Sequence, residues 1–589
     1  SNGSITVSNA LTATGAATLN ANSGITLGNS FTANGAVALD ADLDNNGTGD
    51  FTISSGTLST TSNALTLTAN DLILTGSLNS GTGSTTINVS DGGSLGIGFS
   101  SGFGMNLTTT EQANIIGTGD LSLVNGSITI SASNSLSASG KLTIGQSGGT
   151  ITGQGALTLS GAKGLAINSS ITSAGNLILE GDSNNSADSD DSISLASGTS
   201  LIASAGSITL DATTGGISAA GAVTLNATNG ITINDDLTSS GTAIFDADTD
   251  NNGTGTFTLA SGEALSTGNN ALAITAASMA LSGTLSSGTA GTTLLTSQSG
   301  TTIGLGTGTG TFSLTDSELG QITAGSLTIG DGTNGNITVN GVSSSNSDQF
   351  GALTLNATAS GSSVTFGSSD STFQGLTVNA ENGISLTSSL TTNGTTSFNS
   401  DSDSDGVGDL TISALKTLTT NSNSLSITSN NISFNSSGAI SSGTAGTTLL
   451  TAQSGTSIGL GTGTGTFSLT DSELGQITAG SLTVGNVSNG AIIVEGVSSS
   501  SFGGLSLNSG SSVTFSTTAS SFSSLTLDAG SGVGFGVGVT TTGNLSVTSG
   551  GAITNTGALT IGGTANFTAD VADQAITLSN TSNSFTGAV

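Results

Sequence analysis

Gly3-Ser-Ile-Thr-Val-Ser-Asn-Ala-Leu-Thr-Ala-Thr-Gly-Ala-Ala-Thr-Leu-Asn-Ala21 is followed by Gly24-Ile-Thr-Leu-Gly-Asn-Ser-Phe-Thr-Ala-Asn-Gly-Ala-Val-Ala-Leu-Asp-Ala41, and the second stretch rewrites the first 20 residues later. Ile5 matches Ile25, Val7 matches Leu27, Leu11 matches Phe31, Gly15 matches Gly35 and Leu19 matches Leu39. Within each copy the apolar positions alternate with Thr, Ser and Asn, the period of a half-buried strand. Each copy supplies three strand-like pieces: Ile5–Val7, a piece at Leu11, and Ala17–Leu19. Three strands joined by Gly/Asn turns make one rung, and a single rung cannot bury its apolar side. Stacked rungs can, because every strand then has a backbone partner above and below at about 4.8 Å. An antiparallel β-sandwich also alternates, but it does not require a fixed offset. The expected fold is all-β: a parallel β-helix, a solenoid with three short strands per rung of about 20 residues.

Composition points the same way. The 589 residues include 91 Gly and no Pro, Cys, His, Trp or Tyr. Gly and Asn suit turns at positive φ, and the absence of Pro suits strands whose every N–H is needed in a ladder. With 34% apolar residues on a regular pattern, the chain can fill a long, thin core. The net charge of −33 opposes nucleic acid, whose binding needs a basic surface, and opposes anionic lipid for the same reason. No apolar run approaches the roughly 18 residues of a membrane span. Metal cations are the natural partners of so acidic a surface.

A longer repeat overlies the short one. Asn22-Ser-Gly-Ile-Thr-Leu returns at Asn229-Gly-Ile-Thr-Ile and at Asn382-Gly-Ile-Ser-Leu. Ser286-Ser-Gly-Thr-Ala-Gly-Thr-Thr-Leu-Leu-Thr returns at Ser441, and the stretch from Leu314 returns at Leu469, with a worn copy at Leu107. The modules run 22–228, 229–381 and 382–530, with 1–21 as the end of a preceding rung set and 531–589 as a partial fourth module. Gly155-Ala-Leu-Thr-Leu and Gly175-Asn-Leu-Ile-Leu mark extra rungs inside the first. The chain opens and closes inside the repeat, so it is expected to be a section of a longer protein.

Rungs of the form Gly-x-Ile-Thr-Val-x-x-x-Leu-x-x-x-Gly-x-x-x-Leu-x-Ala resemble the filamentous-haemagglutinin-like exoproteins of bacterial two-partner secretion. So do the Leu314–Leu327 and Leu469–Leu482 stretches and the closing Asn583–Val589. The resemblance implies a right-handed parallel β-helix displayed at the bacterial cell surface or released as an extracellular fibre. It also implies an adhesive role toward a cell-surface or glycan receptor. The Asn-Pro motifs of the family's secretion domain are absent, since the chain has no Pro, and Arg-Gly-Asp adhesion is excluded by the absence of Arg.

One constellation carries explicit chemistry. Each module has an acidic loop: Asp42, Asp44, Asn46 and Asp50 in the first; Asp248, Asp250 and Asn252 in the second; Asp401, Asp403, Asp405 and Asp409 in the third. Each reads Asp-x-Asp-x-[Asp/Asn]-Gly, the first half of an EF-hand calcium loop, whose oxygen ligands converge around the sharp turn at Gly. The position of the bidentate Glu holds Ile53, Leu259 or Ile412, so calcium would need carbonyls, water, Asp40 or Asp50 to complete its shell. A solvated Asp/Asn/Gly turn is the competing reading. A looser cluster of Glu180, Asp182, Asp188, Asp190 and Asp191 reads as a solvated bulge. In the fourth module Thr548-Ser-Gly-Gly replaces the loop, so a rung does not need the acids to fold.

The expected protein is not an enzyme. Polysaccharide lyase chemistry wants a basic residue near calcium, and only Lys141, Lys163 and Lys416 are present. Glycosidase chemistry needs two carboxylates about 5–9.5 Å apart; Asp316 with Glu318 and Asp471 with Glu473 are the pairs to examine. Self-assembly with neighbouring copies of itself, into an extracellular filament, is the remaining alternative.

Overall fold

A computed structural model describes residues 1–132, 134–186, 190–498 and 501–589. The chain divides into two compact units, Ser1–Thr292 and Thr293–Val589. Sequence-module boundaries 228/229 fall inside the first, and 381/382 and 530/531 inside the second.

In the first unit the 20-residue offset is the rung itself. Strands Ile5–Val7, Leu11–Ala13 and Ala17–Asn20 pair in parallel with Ile25–Leu27, Phe31–Ala33 and Val37–Asp40. The register sets Ile5 against Ile25, Leu11 against Phe31 and Leu19 against Leu39. The inner rungs Gly155-Ala-Leu-Thr-Leu and Gly175-Asn-Leu-Ile-Leu behave likewise, with Leu157 on Leu177 and Leu159 on Leu179. The architecture is a parallel β-helix solenoid. Inward positions such as Ile25, Leu27, Phe51, Ile53, Leu65 and Leu67 are fully buried. Each buried side chain of this size stabilises the fold by about 1.5–3 kcal/mol, so the core is a column of similar small contributions. Phenylalanines stack along the column where they recur: Phe245 on Phe257 at 5.9 Å in the first unit, Phe366 on Phe398 at 6.1 Å and Phe515 on Phe535 at 5.2 Å in the second. Gly35 shows why its position recurs, since a Cβ there would overlap the backbone of Ala16 in the rung below.

The ladders are not uniform. In the first unit, Leu72–Leu74 and Ser77–Asn79 end their sheets, whereas Thr85–Val89 passes straight on to Leu121–Val124. Between them Leu95–Ile97 pairs in parallel with the nearby Met105–Leu107, and a one-turn helix, Thr109–Ala113, follows. The second unit repeats the device: Ile432–Phe434 ends its sheet, Ile458–Gly461 pairs with Phe467–Leu469, and helix Asp471–Leu474 follows. Side chains span the breaks, with Asn106 N donating to Asp71 Oδ1 at 2.8 Å and Ser468 N donating to Asn431 Oδ1 at 3.1 Å. These short helices depart from a purely strand-built expectation. Thr-x-x-Glu is the reason: Thr108 with Glu111, Thr315 with Glu318 and Thr470 with Glu473 each form a capping box that satisfies the first helical N–H groups.

One ladder of the second unit runs without interruption through eleven strands. They are Ile322–Ile329, Phe350–Ala357, Gly375–Ala380, Thr396–Asn399, Leu425–Ser429, Gly446–Thr451, Ser481–Val484, Leu505–Ser509, Leu525–Ala529, Leu545–Ser549 and Ala565–Ala569.

Candidate metal centre

Each acidic loop leaves the strand that closes one sequence repeat and re-enters in the strand that opens the next. The exits are Val37–Asp40, Ala243–Asp246 and Thr396–Asn399, and the returns are Phe51–Ile53, Thr256–Leu259 and Leu410–Ile412. Ile53, Leu259 and Ile412 are therefore core strand residues, each fully buried, and offer no carboxylate to a cation.

The first Asp of each loop is turned inward. Asp42, Asp248 and Asp401 have no exposed surface. Asp42 Oδ1 accepts from Asn46 N at 3.2 Å and Oδ2 from Gly47 N at 2.9 Å. Asp248 accepts from Asn252 N and Gly253 N, and Asp401 from Asp405 N and Gly406 N, in the same pattern. The fourth loop residue sits at positive φ in all three: Asn45 at 50°, Asn251 at 55° and Ser404 at 59°. Gly49, Gly255 and Gly408 close the turn against the preceding strand, where a Cβ would overlap the carbonyls of Ala41, Ala247 and Ser400. The buried Asp is thus a staple for its own loop.

What surrounds the staple differs. In the first loop Ser90 Oγ donates to Asp42 Oδ2 at 2.6 Å, and Asn22, one rung back, donates through Nδ2 to Asp44 Oδ2 at 3.3 Å. Asn46 Nδ2 also donates to Asp44, at 3.0 Å. Burial acts to raise the Asp42 carboxyl, but the donors Ser90, Gly47 and Asn46 outweigh it and hold the group below the usual carboxylate value. In the third loop the position of Asn22 is taken by Glu381, 9% exposed, whose Oε2 accepts from Gly361 N at 2.6 Å. Among the described residues, Glu381, Asp403 and Asp405 are the three acidic side chains whose oxygen atoms come within 4.8 Å of one another. Burial pushes the Asp401 carboxyl up, and the neighbouring Asp403 adds to the push beyond what the Gly406 and Asp405 amides offset.

The sequence-predicted ligands are therefore brought together unequally. Asp403 and Asp405 converge with Glu381, which the loop motif alone does not contain. Asp50 and Asp409 face the next rung instead, accepting from Asn70 Nδ2 at 3.1 Å and Asn430 Nδ2 at 3.0 Å. In the second loop Thr256 stands at that position and shares a hydrogen bond with Ser278 at 2.8 Å, while Asp250 accepts from Asn252 Nδ2 at 2.9 Å. An open groove of about 450 Å³ runs beside the third loop, lined by Asn382, Gly406, Val407, Asp409, Thr411 and Asn430 among others.

The looser acidic cluster contains a fourth copy of the staple. Ser186 N donates to Asp182 Oδ1 at 3.2 Å and Asn185 has φ 51°, so Asp182, Asn184 and Ser186 take the first three alternating positions. Asp188 lies outside the described residues. Sequence reading also passes over Asp235, Asp236 and Glu263, which line a second open groove of about 360 Å³ in the first unit. There burial, Asp236 and Asp235 push the Glu263 carboxyl up.

The carboxylate pairs with a conceivable glycosidase role are occupied in bracing. Asp316 accepts from Ser343 N and Oγ and from Asn346 Nδ2, each at 2.8 Å, tying the short helix Asp316–Leu319 to the next, Ser344–Ser347, while Glu318 closes its capping box. Asp471 accepts from Ser498 N and Oγ at 2.7 Å, and Glu473 caps its own helix.

A family model described as repeats of unknown function (DUF5649) matches residues 523–589. No curated protein and no solved structure matches the chain. The family match and the ladder of parallel rungs agree on a β-helix repeat protein. No helix among the described residues is long and apolar enough to cross a membrane.

Proposed function

We propose that this chain is a non-catalytic structural and adhesive segment of an extracellular fibre on a bacterial cell surface, stabilised by calcium at the Asp401–Asp409 loop. The observation that carries this reading is where the chemistry sits. The large inward side chains of the strands are apolar in rung after rung, and most carboxylates lie outside the strands, in turns and short helices, where most of those described above staple a loop or brace a helix. The filamentous-haemagglutinin-like rung pattern supports surface display by two-partner secretion, with a cell-surface or glycan receptor as partner. Calcium fits the third loop because Glu381, Asp403 and Asp405 supply three hard oxygen ligands at one point, beside an Asp401 already oriented by backbone amides.

Electron microscopy of the native material with and without a chelator tests the fibre reading. Thin rods or fibres at the cell surface are expected, and a compact soluble particle with no surface attachment would sink it. Calcium titration followed by thermal unfolding tests the site. A midpoint that rises with calcium in the intact chain and not in Asp403→Asn is expected. An identical response in both removes calcium from the third loop.

A further inference from the structure

We propose that the outward side of the uninterrupted eleven-strand ladder in the second unit is a docking surface for a second copy of this chain. Its central outward row is a file of hydroxyls in direct register: Thr354, Thr377, Ser397, Ser426, Thr448 and Thr483 follow one another strand by strand. A parallel row holds amides, where Asn379 Nδ2 donates to Asn356 Oδ1 at 2.9 Å along the face. The buried alternates of the same strands, such as Leu353, Leu355, Val378, Phe398 and Ile427, hold the row in place from beneath.

Charge selects the partner. The chain carries −33, which repels any copy of itself wherever the acidic turns would meet. The eleven strands together hold a single acid, Asp528, and no base. Polyanions have no cation here to bind. A second copy approaching by this face brings a hydroxyl or amide to each rung at the same spacing of about 4.8 Å, so a two-fold pairing matches donors with acceptors along its whole length. Area agrees: eleven strands at about 4.8 Å, each presenting about five residues at about 3.3 Å, cover roughly 800 Å². That equals the roughly 800 Å² per partner of a standard stable interface. The first ladder of the same unit, broken after Ile432–Phe434, offers no such continuous surface.

The inference does not depend on calcium, and the test keeps the two apart by working in EDTA. Sedimentation velocity of the whole chain is run from about 0.01 M to about 1 M NaCl, over which the screening length falls from about 30 Å to about 3 Å. A monomer that becomes a dimer as salt rises is expected, because screening removes repulsion between turns and leaves the neutral face. Placing charge on the face with Thr377→Asp, Ser426→Asp and Thr483→Asp together should weaken the dimer at least about tenfold. Thr338→Asp with Ser433→Asp, outward on the first ladder, should leave it unchanged. If the charged variant loses its circular-dichroism spectrum, Gln at the same three positions adds bulk without charge and should weaken pairing in a folded chain. A monomer at every salt concentration overturns the proposal, as does a dimer indifferent to both face variants. A monomer retained on a neutral glucan matrix, and released by the face variants, would assign the surface to glycan instead.

Discussion

Asp42 and Asp401 occupy the same place in two copies of one loop, both without exposed surface and both accepting two backbone amides. Around Asp42 the acids are met by donors: Ser90 reaches its second oxygen, and Asn22 and Asn46 donate to Asp44. Around Asp401 the neighbours are acids: Asp403, Asp405 and, from the previous rung, Glu381. One loop is complete in itself. The other gathers three carboxylates beside Asp401, the place where calcium is proposed above. The loops therefore share a motif but not a carboxylate cluster; what differs is the residue one rung away, Asn22 beside Asp44 and Glu381 beside Asp403.

The largest test of this contrast is to remove the staple. Asp42→Ala leaves the Asn46 and Gly47 amides and the Ser90 hydroxyl without their acceptor, at a local cost of about 2–4 kcal/mol. Asp401→Ala also orphans two amides but relieves crowding, so in chelator it should cost clearly less. Because a solenoid opens rung by rung, the measurement is hydrogen exchange in the flanking strands, Phe51–Ile53 against Leu410–Ile412. Equal losses of protection would mean that the surrounding groups do not matter.

Exchanging the deciding residue should move the calcium response from one loop to the other. Glu381→Asn is expected to stabilise the third loop in chelator and abolish its calcium gain. Asn22→Glu should install a gain in the first loop, though a smaller one, since Asn46 stands where the third loop has Asp405. At ten times its dissociation constant a cation stabilises by about 1.4 kcal/mol, a difference that calcium-dependent exchange protection resolves. A calcium response that stays in the third loop after Glu381→Asn would show that Asp401, Asp403 and Asp405 suffice.

How far this was legible follows from distance along the chain. Ladder register was legible because rung neighbours lie at a constant offset, so Ile5 on Ile25 and Leu157 on Leu177 could be read off directly. Glu381 was legible by the same offset, one rung before Asp401, but a motif search running forward from the first Asp does not look back. The Asp182 staple went unrecognised because Asn184 and Ser186 replace the later acids, although stapling uses only the first Asp and the backbone. The helix at Thr109–Ala113 was signalled by Thr108-x-x-Glu111 and masked by its place in a strand repeat. Ser90 was harder to reach: it meets Asp42 two rungs on, across 48 residues, because the acidic loop lengthens the first step, Asp40 to Thr68, beyond the 20 residues that separate Thr68 from Asn88.

The smallest expected effect is on pH dependence, and its sign differs between the two loops. Asp42 lies below its ordinary value of 3.8 when folded, so its contribution is present above 3.8 and lost as pH falls through the lowered value. Asp401 lies above 3.8 when folded, so the stability tied to its neutral form is present below 3.8 and lost as pH rises through the raised value. Acidifying from neutral pH in chelator should therefore first strengthen protection around Leu410–Ile412, and only further down weaken it around Phe51–Ile53. Exchange corrected for its intrinsic pH dependence reads both. Saturating calcium should erase the first change, because a bound cation keeps the third loop's carboxylates ionised, and should leave the second untouched. If both loops weakened together on acidification, the crowding assigned to Asp401 would be wrong and the two loops would be one structure with two spellings.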